Sequence, residues 1–372
     1  MPIYSKRPAR HEIRPMNSRE RVLAAVAHRW PDRMPVRFNG GGDEARRVAA
    51  DLCLPLEGDV TETLQRHLRV DVRNVDSTLI PREGPNGGYP TEYDCLAPAE
   101  TAADVDRLWP PSRRIENRTL APAVEKVKAW DHEGICPAII LRTFGLMSML
   151  LRARGQVQAN YDLAEENAVF LRILDRTEEF LHDLIELGFK AFGPRLDVVY
   201  FGDELGMQTG LLYSPRAIEK HLLPRYARLA ERVHRHGGKV FFHSCGAIEP
   251  VIDALIDVGV DILNPIQPKI PGMEPEHLAR KFGGRVCFCG GIDMQRLLPF
   301  GRPDEVRAEV RRYFDVLAPG YILDFANILH PDIPTANVLA MYETPREPPP
   351  RQATNRRSSR LRRNYDTPRE KT

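Results

Sequence analysis

Cysteine is scarce in this chain. There are six in 372 residues, at positions 53, 95, 136, 245, 287 and 289, and their spacing is not that of a disulfide scaffold. They read as free thiols, some of them open to metal binding or catalysis. Long apolar runs are also missing: none approaches the ~20 residues that cross a bilayer, and MPIYSKRPARHEIRP at the start has no apolar core of a secretory signal. A cytoplasmic protein is the expectation. No G-x-G-x-x-G follows the first apolar run, which removes the best cue for a dinucleotide fold. Net charge is nearly absent too, at +2, but it is unevenly placed. Residues 1–15 hold four Lys/Arg against one acid and residues 345–372 nine against three, so the two ends carry +9 and the body −7. A body of that sign lacks the basic face that nucleic acid requires.

What is present is a rhythm. Eight short β-rich runs recur: 34–38, 70–76, 138–145, 197–204, 239–245, 261–267, 285–291 and 321–327. Amphipathic helical stretches separate most of them, the clearest at 166–188, 215–236, 247–257 and 303–316. Strands alternating with helices predict βαβ units on a parallel sheet. Eight such units in about this length predict an α/β fold of the (β/α)8 TIM barrel class. Asn17 followed by Glu20 reads as a capping box, and Gly237-Gly238 as a helix stop. The expected organisation is a flexible arm at 1–15, a barrel over 16–344 and a disordered Pro/Arg-rich tail at 345–372. Residues 81–100 form a long irregular insertion.

The chemistry gathers where the runs end. In order come Arg142; Asp203, Glu204 and Gln208; His243 and Cys245; Asn264 and Gln267; Cys289 and Asp293; Asp324 and Asn327. In a barrel these ends share one face, where active sites sit. His243 and Cys245, two residues apart on a strand, point the same way and offer a nitrogen and a sulfur, the donors zinc prefers. Cys289 and Glu204 are candidates for a third ligand. Asp203, Glu204 and Arg142 are the candidate catalytic groups. Asn264, Gln267, Gln208, Asp293 and Asn327 are the candidate substrate contacts. Arg142 either grips an acid or pairs with Glu204 or Asp203, and Asp293 either caps the next helix or holds substrate. The alternative for the whole set is an unmetallated pocket lining.

These stretches, in their order from about 17 to 344, resemble the uroporphyrinogen decarboxylase superfamily. The carriers are NSRERVLAAVAHRWPDRMPV, FGDELGMQTGLLYSP, HGGKVFFHSCGAIEPVIDALIDVGVDILNPIQP, FCGGIDMQRLLPFG and PDIPTANVLAMYE. The resemblance implies the barrel with its site at the C-terminal mouth. It also implies one of two activities. The zinc-dependent methyltransferases of the superfamily match His243 and Cys245; their later cysteine falls where this chain has YILDFANILHPD, with Asp324 and Asn327. In that reading zinc (Zn2+) activates a thiol, which takes a methyl group from a methylcobamide on a corrinoid partner protein. The decarboxylases instead grip a polycarboxylate tetrapyrrole with an arginine-rich loop, which MPVRFNGGGDEARR replaces here with a glycine run. A metal-free lyase would rely on Asp76 or Asp203, with Arg37, Arg73 and Arg142 binding acids. That branch implies a homodimer. A non-catalytic barrel acting through its basic tail is the third reading.

Overall fold

Seven of the eight expected runs form one parallel sheet in the computed structural model, which describes residues 13–79 and 93–346. The strands are β1 (Val72–Asp76), β2 (Ala138–Phe144), β3 (Val198–Gly202), β4 (Lys239–His243), β5 (Ile262–Asn264), β6 (Cys287–Cys289) and β7 (Tyr321–Ile322), paired in chain order. Helices return the chain between them, the longest being Ala168–Phe192. Most of the arm expected at 1–15, most of the 81–100 insertion and nearly all of the 345–372 tail lie outside the described residues. None of the described helices is long and apolar enough to cross a membrane.

The eighth run differs from the expectation. Residues 34–38 contribute a single parallel bridge, Val36 to Leu323, rather than a strand. The Arg37 N–H donates to the Leu323 carbonyl at 2.8 Å, the Leu323 N–H to that of Pro35 at 2.9 Å, and the Asp71 N–H to that of Val36 at 2.8 Å. This short segment thus lies between the last strand and the first. Pro35 has no N–H to give, and Asn39-Gly40-Gly41-Gly42, which follows at once, is poor in β-formers, so the ladder stays short.

Alternation along the strands explains why both faces are apolar. Val72, Ile140, Val198, Phe241, Ile262, Cys287, Cys289 and Ile322 form one buried layer with Val22, Ala25 and Val26 of the helix Ser18–Val26. Residues of the other parity, such as Leu141, Val199, Phe201, Phe242 and Phe288, pack against the surrounding helices. That first helix starts at the expected box: the Glu20 N–H donates to Asn17 Oδ1 at 2.8 Å and the Asn17 N–H to Glu20 Oε2 at 3.0 Å. It seals the N-terminal end of the inner layer. The polar residues are left to the C-terminal end.

Candidate active site

Register decides which side chains meet there. Arg142 on β2 lies beside Asp76 on β1 and Tyr200 on β3, while His243 on β4 lies between Gly202 and Asn264. The loops that follow β3 and β4 are laced together. The Asp203 N–H donates to the His243 carbonyl at 2.9 Å, the Leu205 N–H to Ser244 Oγ at 2.9 Å, and the Cys245 N–H to Glu204 Oε2 at 2.8 Å. Gly246 closes the second loop with φ at +89°, and the next residue's N–H reaches the Met207 carbonyl at 2.7 Å. Gln267 supports the same turn, its Oε1 accepting from the Gly246 N–H at 2.7 Å.

The outcome is a convergence of three donor atoms of different kinds. His243 Nε2 is 3.6 Å from Glu204 Oε1 and 3.8 Å from Cys245 Sγ. Glu204, His243 and Cys245 are the one such group among the described residues. A tetrahedral ion with bonds of 2.0–2.3 Å sets its ligands about 3.3–3.8 Å apart. The two separations fit that edge length, and three such ligands would leave a fourth position open.

The histidine's tautomer follows from its neighbour. The Cys289 carbonyl can only accept, so Asn264 turns its amide nitrogen to it at 3.1 Å and presents Oδ1 to His243 Nδ1 at 2.7 Å. An oxygen there requires Nδ1 to carry the hydrogen, which leaves the Nε2 lone pair facing Glu204 and Cys245. Asn327 stands over the sulfur, its Nδ2 3.6 Å from Cys245 Sγ. Burial, with the Glu204 charge next in weight, pushes the Cys245 thiol up to about 12. Tyr200, which sequence reasoning missed, lies against this group. Burial pushes its phenol up to about 12, while Arg37 and Arg142 pull it down. The signal was present: Tyr200 shares strand parity with Gly202 and sits beside Arg142 in the ladder.

Four of the sequence candidates fall elsewhere. Asp203 is fully buried and anchors the helix Leu146–Arg154. It accepts from the Met147 and Ser148 N–H groups, Ser148 Oγ, the Glu204 N–H and the Tyr226 hydroxyl at 2.6–3.2 Å, so no edge faces the cavity. Removing it leaves four or more donors unpaired. Asp203→Ala should cost about 3–5 kcal/mol, read as a lower urea midpoint. Cys289 points into the fully buried strand layer with Phe241 and Cys287, not towards His243, and burial holds its thiol well above the ordinary range. Gln208 occupies the exposed turn of the small hairpin Gly206–Met207/Gly210–Leu211. Asp293 accepts from the N–H groups of Gln295 and Leu297 in its own turn. Arg142 approaches Asp76 at 3.8 Å rather than Glu204 or Asp203.

Beside the three donors opens a cavity of about 550 Å³, lined among others by Asp76, Arg142, Tyr200, Glu204 and His243. That lies inside the range of small-molecule sites. The arginines proposed to serve a decarboxylase are mostly engaged elsewhere. Arg37 is buried on Asp324 and over the Phe241 ring, and Arg73 is buried on Glu62 at 2.7 Å.

Comparison with known proteins gives three results. Residues 94–348 match the family model described as uroporphyrinogen decarboxylase. No curated protein matches in sequence. In structure the chain is similar to a methyltransferase from Methanosarcina mazei, at 18% identity and a TM-score of 0.63, covering 89% of this chain and 98% of that one. An intracellular xylanase from Thermoanaerobacterium saccharolyticum is a looser likeness, at 12% identity and a TM-score of 0.40, covering 82% and 95%. The first likeness speaks for the fold; the second is too loose to bear on this chain.

Proposed function

Since the chain belongs to the uroporphyrinogen decarboxylase family, we propose that it is a methyltransferase in which a zinc-activated thiol accepts a methyl group from a methylated corrinoid protein. The observation that carries this is the convergence of Glu204 Oε1, His243 Nε2 and Cys245 Sγ at the end of β4. The unit concerned spans residues 16–344 as a closed eight-unit barrel, with 35–37 standing in for the missing strand.

Glu204, His243 and Cys245 would hold the ion, and the donor set is one that zinc accepts. Zinc there supplies Lewis acidity, which lowers the pKa of a thiol so that the nucleophilic thiolate exists near neutral pH. The chain's own residues supply the rest. Asn264 fixes the imidazole so that only Nε2 is available. Glu204 spends one oxygen on the Cys245 N–H, which aims the other at the site. Asn327, with an N–H over the Cys245 sulfur, disperses negative charge that develops there. Phe144 and Leu184 line the cavity wall and limit water around the acceptor. The new S–CH3 bond forms as the acceptor thiol's proton goes to solvent, and the electron pair of the broken bond stays with the methyl donor.

Loading should release protons. With its thiol at about 12, Cys245 is protonated at neutral pH until a cation takes the thiolate. Zinc affinity should therefore fall by about tenfold for each pH unit lost around neutrality, measurable by competition with a chelating dye. A flat profile would mean the sulfur is not a ligand. Asn264→Leu should weaken zinc about 10–100-fold, because the imidazole loses the partner that fixes its tautomer; the same competition assay reads it.

The activity is tested with zinc-loaded protein, methylcobalamin and a small thiol, following loss of the cobalt–carbon absorbance and formation of the methyl thioether. Zinc-dependent transfer is expected. No transfer, together with carboxyl loss from uroporphyrinogen, would move the protein to the lyase branch.

A further inference from the structure

Two guanidiniums of the cavity beside Glu204 and His243 have no tight anionic partner among the described residues. Arg142 makes no hydrogen bond there, and its one carboxylate, Asp76, stays 3.8 Å away and is itself mostly exposed. Arg152 has no ion pair among the described residues; its guanidinium is stacked 3.9 Å from the Phe144 ring and 5.2 Å from that of Tyr93. Arg113 and Arg118, in the same lining, are tied to backbone carbonyls: Arg113 to Met149, Arg118 to Ser112 and Ser77. Arg142 and Phe144 share one face of β2, so the two available guanidiniums flank a single stretch of wall. Arginines pre-set by stacking, with their N–H forks unspent, are suited to bind a carboxylate or phosphate.

The rest of the lining restricts what carries that anion. Met149, Leu151, Phe180 and Leu184 make an apolar wall, while Asp76 and Glu204 are the carboxylates of the cavity among the described residues. A second negative group on the ligand would meet one of those two. From this we infer that the cavity binds a monoanion with an apolar body: an acid whose charged end lies on Arg142 and Arg152, and whose hydrocarbon or aromatic part lies along Phe180 and Leu184. The inference rests on the proposed function only in making Glu204 and His243, in the same cavity, the place where the ligand's reacting end arrives.

The test is calorimetric binding to full-length, metal-free protein, using 4-phenylbutanoate, its neutral amide, and butanoate, which lacks the ring. The acid is expected to bind at least tenfold more tightly than either. Arg142→Gln and Arg152→Gln should each bring the acid down to the affinity of the amide, without changing the amide, and Phe180→Ala should weaken acid and amide alike. Equal binding of acid and amide, an acid affinity untouched by either glutamine variant, or no acid binding at millimolar concentration would each overturn the inference. Zinc content and methyl transfer do not enter this measurement. A failure here therefore leaves the proposed reaction standing, and a failure of the reaction leaves the anion subsite standing.

Discussion

Cys245→Ser should lose zinc affinity on the order of a hundredfold or more, about 2.8 kcal/mol, while the protein stays folded. Serine is nearly isosteric, and at neutral pH its hydroxyl is a far poorer donor to zinc than a thiolate. Replacing a supporting group such as Asn264 is worth about one to two decades, so replacing a ligand sets a larger floor. The backbone should not move, because what fixes Cys245 is its N–H on Glu204 and the turn behind it, both of which serine keeps. Chelator competition beside a thermal melt separates the two effects. An unchanged melting temperature with normal zinc affinity would remove the sulfur from the site.

The second large effect comes from a residue with no side chain. Gly246 sits at φ +89°, and a Cβ built there would lie 2.4 Å from the Gly206 carbonyl carbon and 2.6 Å from the Met207 nitrogen. Both are backbone atoms of the neighbouring hairpin, so no flexible side chain can give way. Gly206 is equally constrained from the other side, its own Cβ position falling 2.7 Å from the Cys245 carbonyl oxygen. Gly246→Ala should therefore cost about 2–5 kcal/mol, from left-handed strain together with overpacking. It should also swing Cys245 away from His243 and Glu204. The expected result is a lower denaturation midpoint combined with lost zinc binding. A variant of wild-type stability that still binds zinc would show that the turn does not aim the sulfur.

Much of this was legible beforehand, for reasons that differ by residue. The strand runs could be found because a parallel sheet buried on both faces leaves near-continuous apolar segments, as in KVFFH and AIILR. His243 and Cys245 could be paired because they are two apart at a strand end. Glu204 was placed among the donors by the order of strand ends, which the β3–β4 register brings side by side. Asp203 and Glu204 could not be told apart from sequence. One carboxylate turns inward to the helix at Leu146 and Tyr226, and its neighbour turns out to His243; that choice depends on tertiary donors. Cys289 misled because it lies at a strand end, yet its strand is only three residues long and its sulfur stays within the buried layer. Gln208 and Asp293 were polar residues after strands, the commonest setting for a turn. Arg152 left no trace, since a helical arginine carries no mark of the rings it will stack on.

The decarboxylase alternative draws its weight from the family itself. Against it stands the fate of its arginines, since Arg37 and Arg73 neutralise Asp324 and Glu62 inside the protein. If Arg37 turned towards substrate it would leave the buried Asp324 carboxylate without its cation, at a cost of several kcal/mol; Glu62 would keep Arg66 at 2.7 Å. Two guanidiniums without a tight anionic partner among the described residues suit one acid group better than many.

The most direct test of the central claim is the zinc content of the wild-type protein purified without added metal, measured by atomic emission against protein concentration. The account predicts one zinc per chain, removable by a chelator and restored by zinc alone. A chain that carries no zinc and takes up none when it is supplied would contradict it. Glu204, His243 and Cys245 would then be an ordinary hydrogen-bonded lining of the cavity.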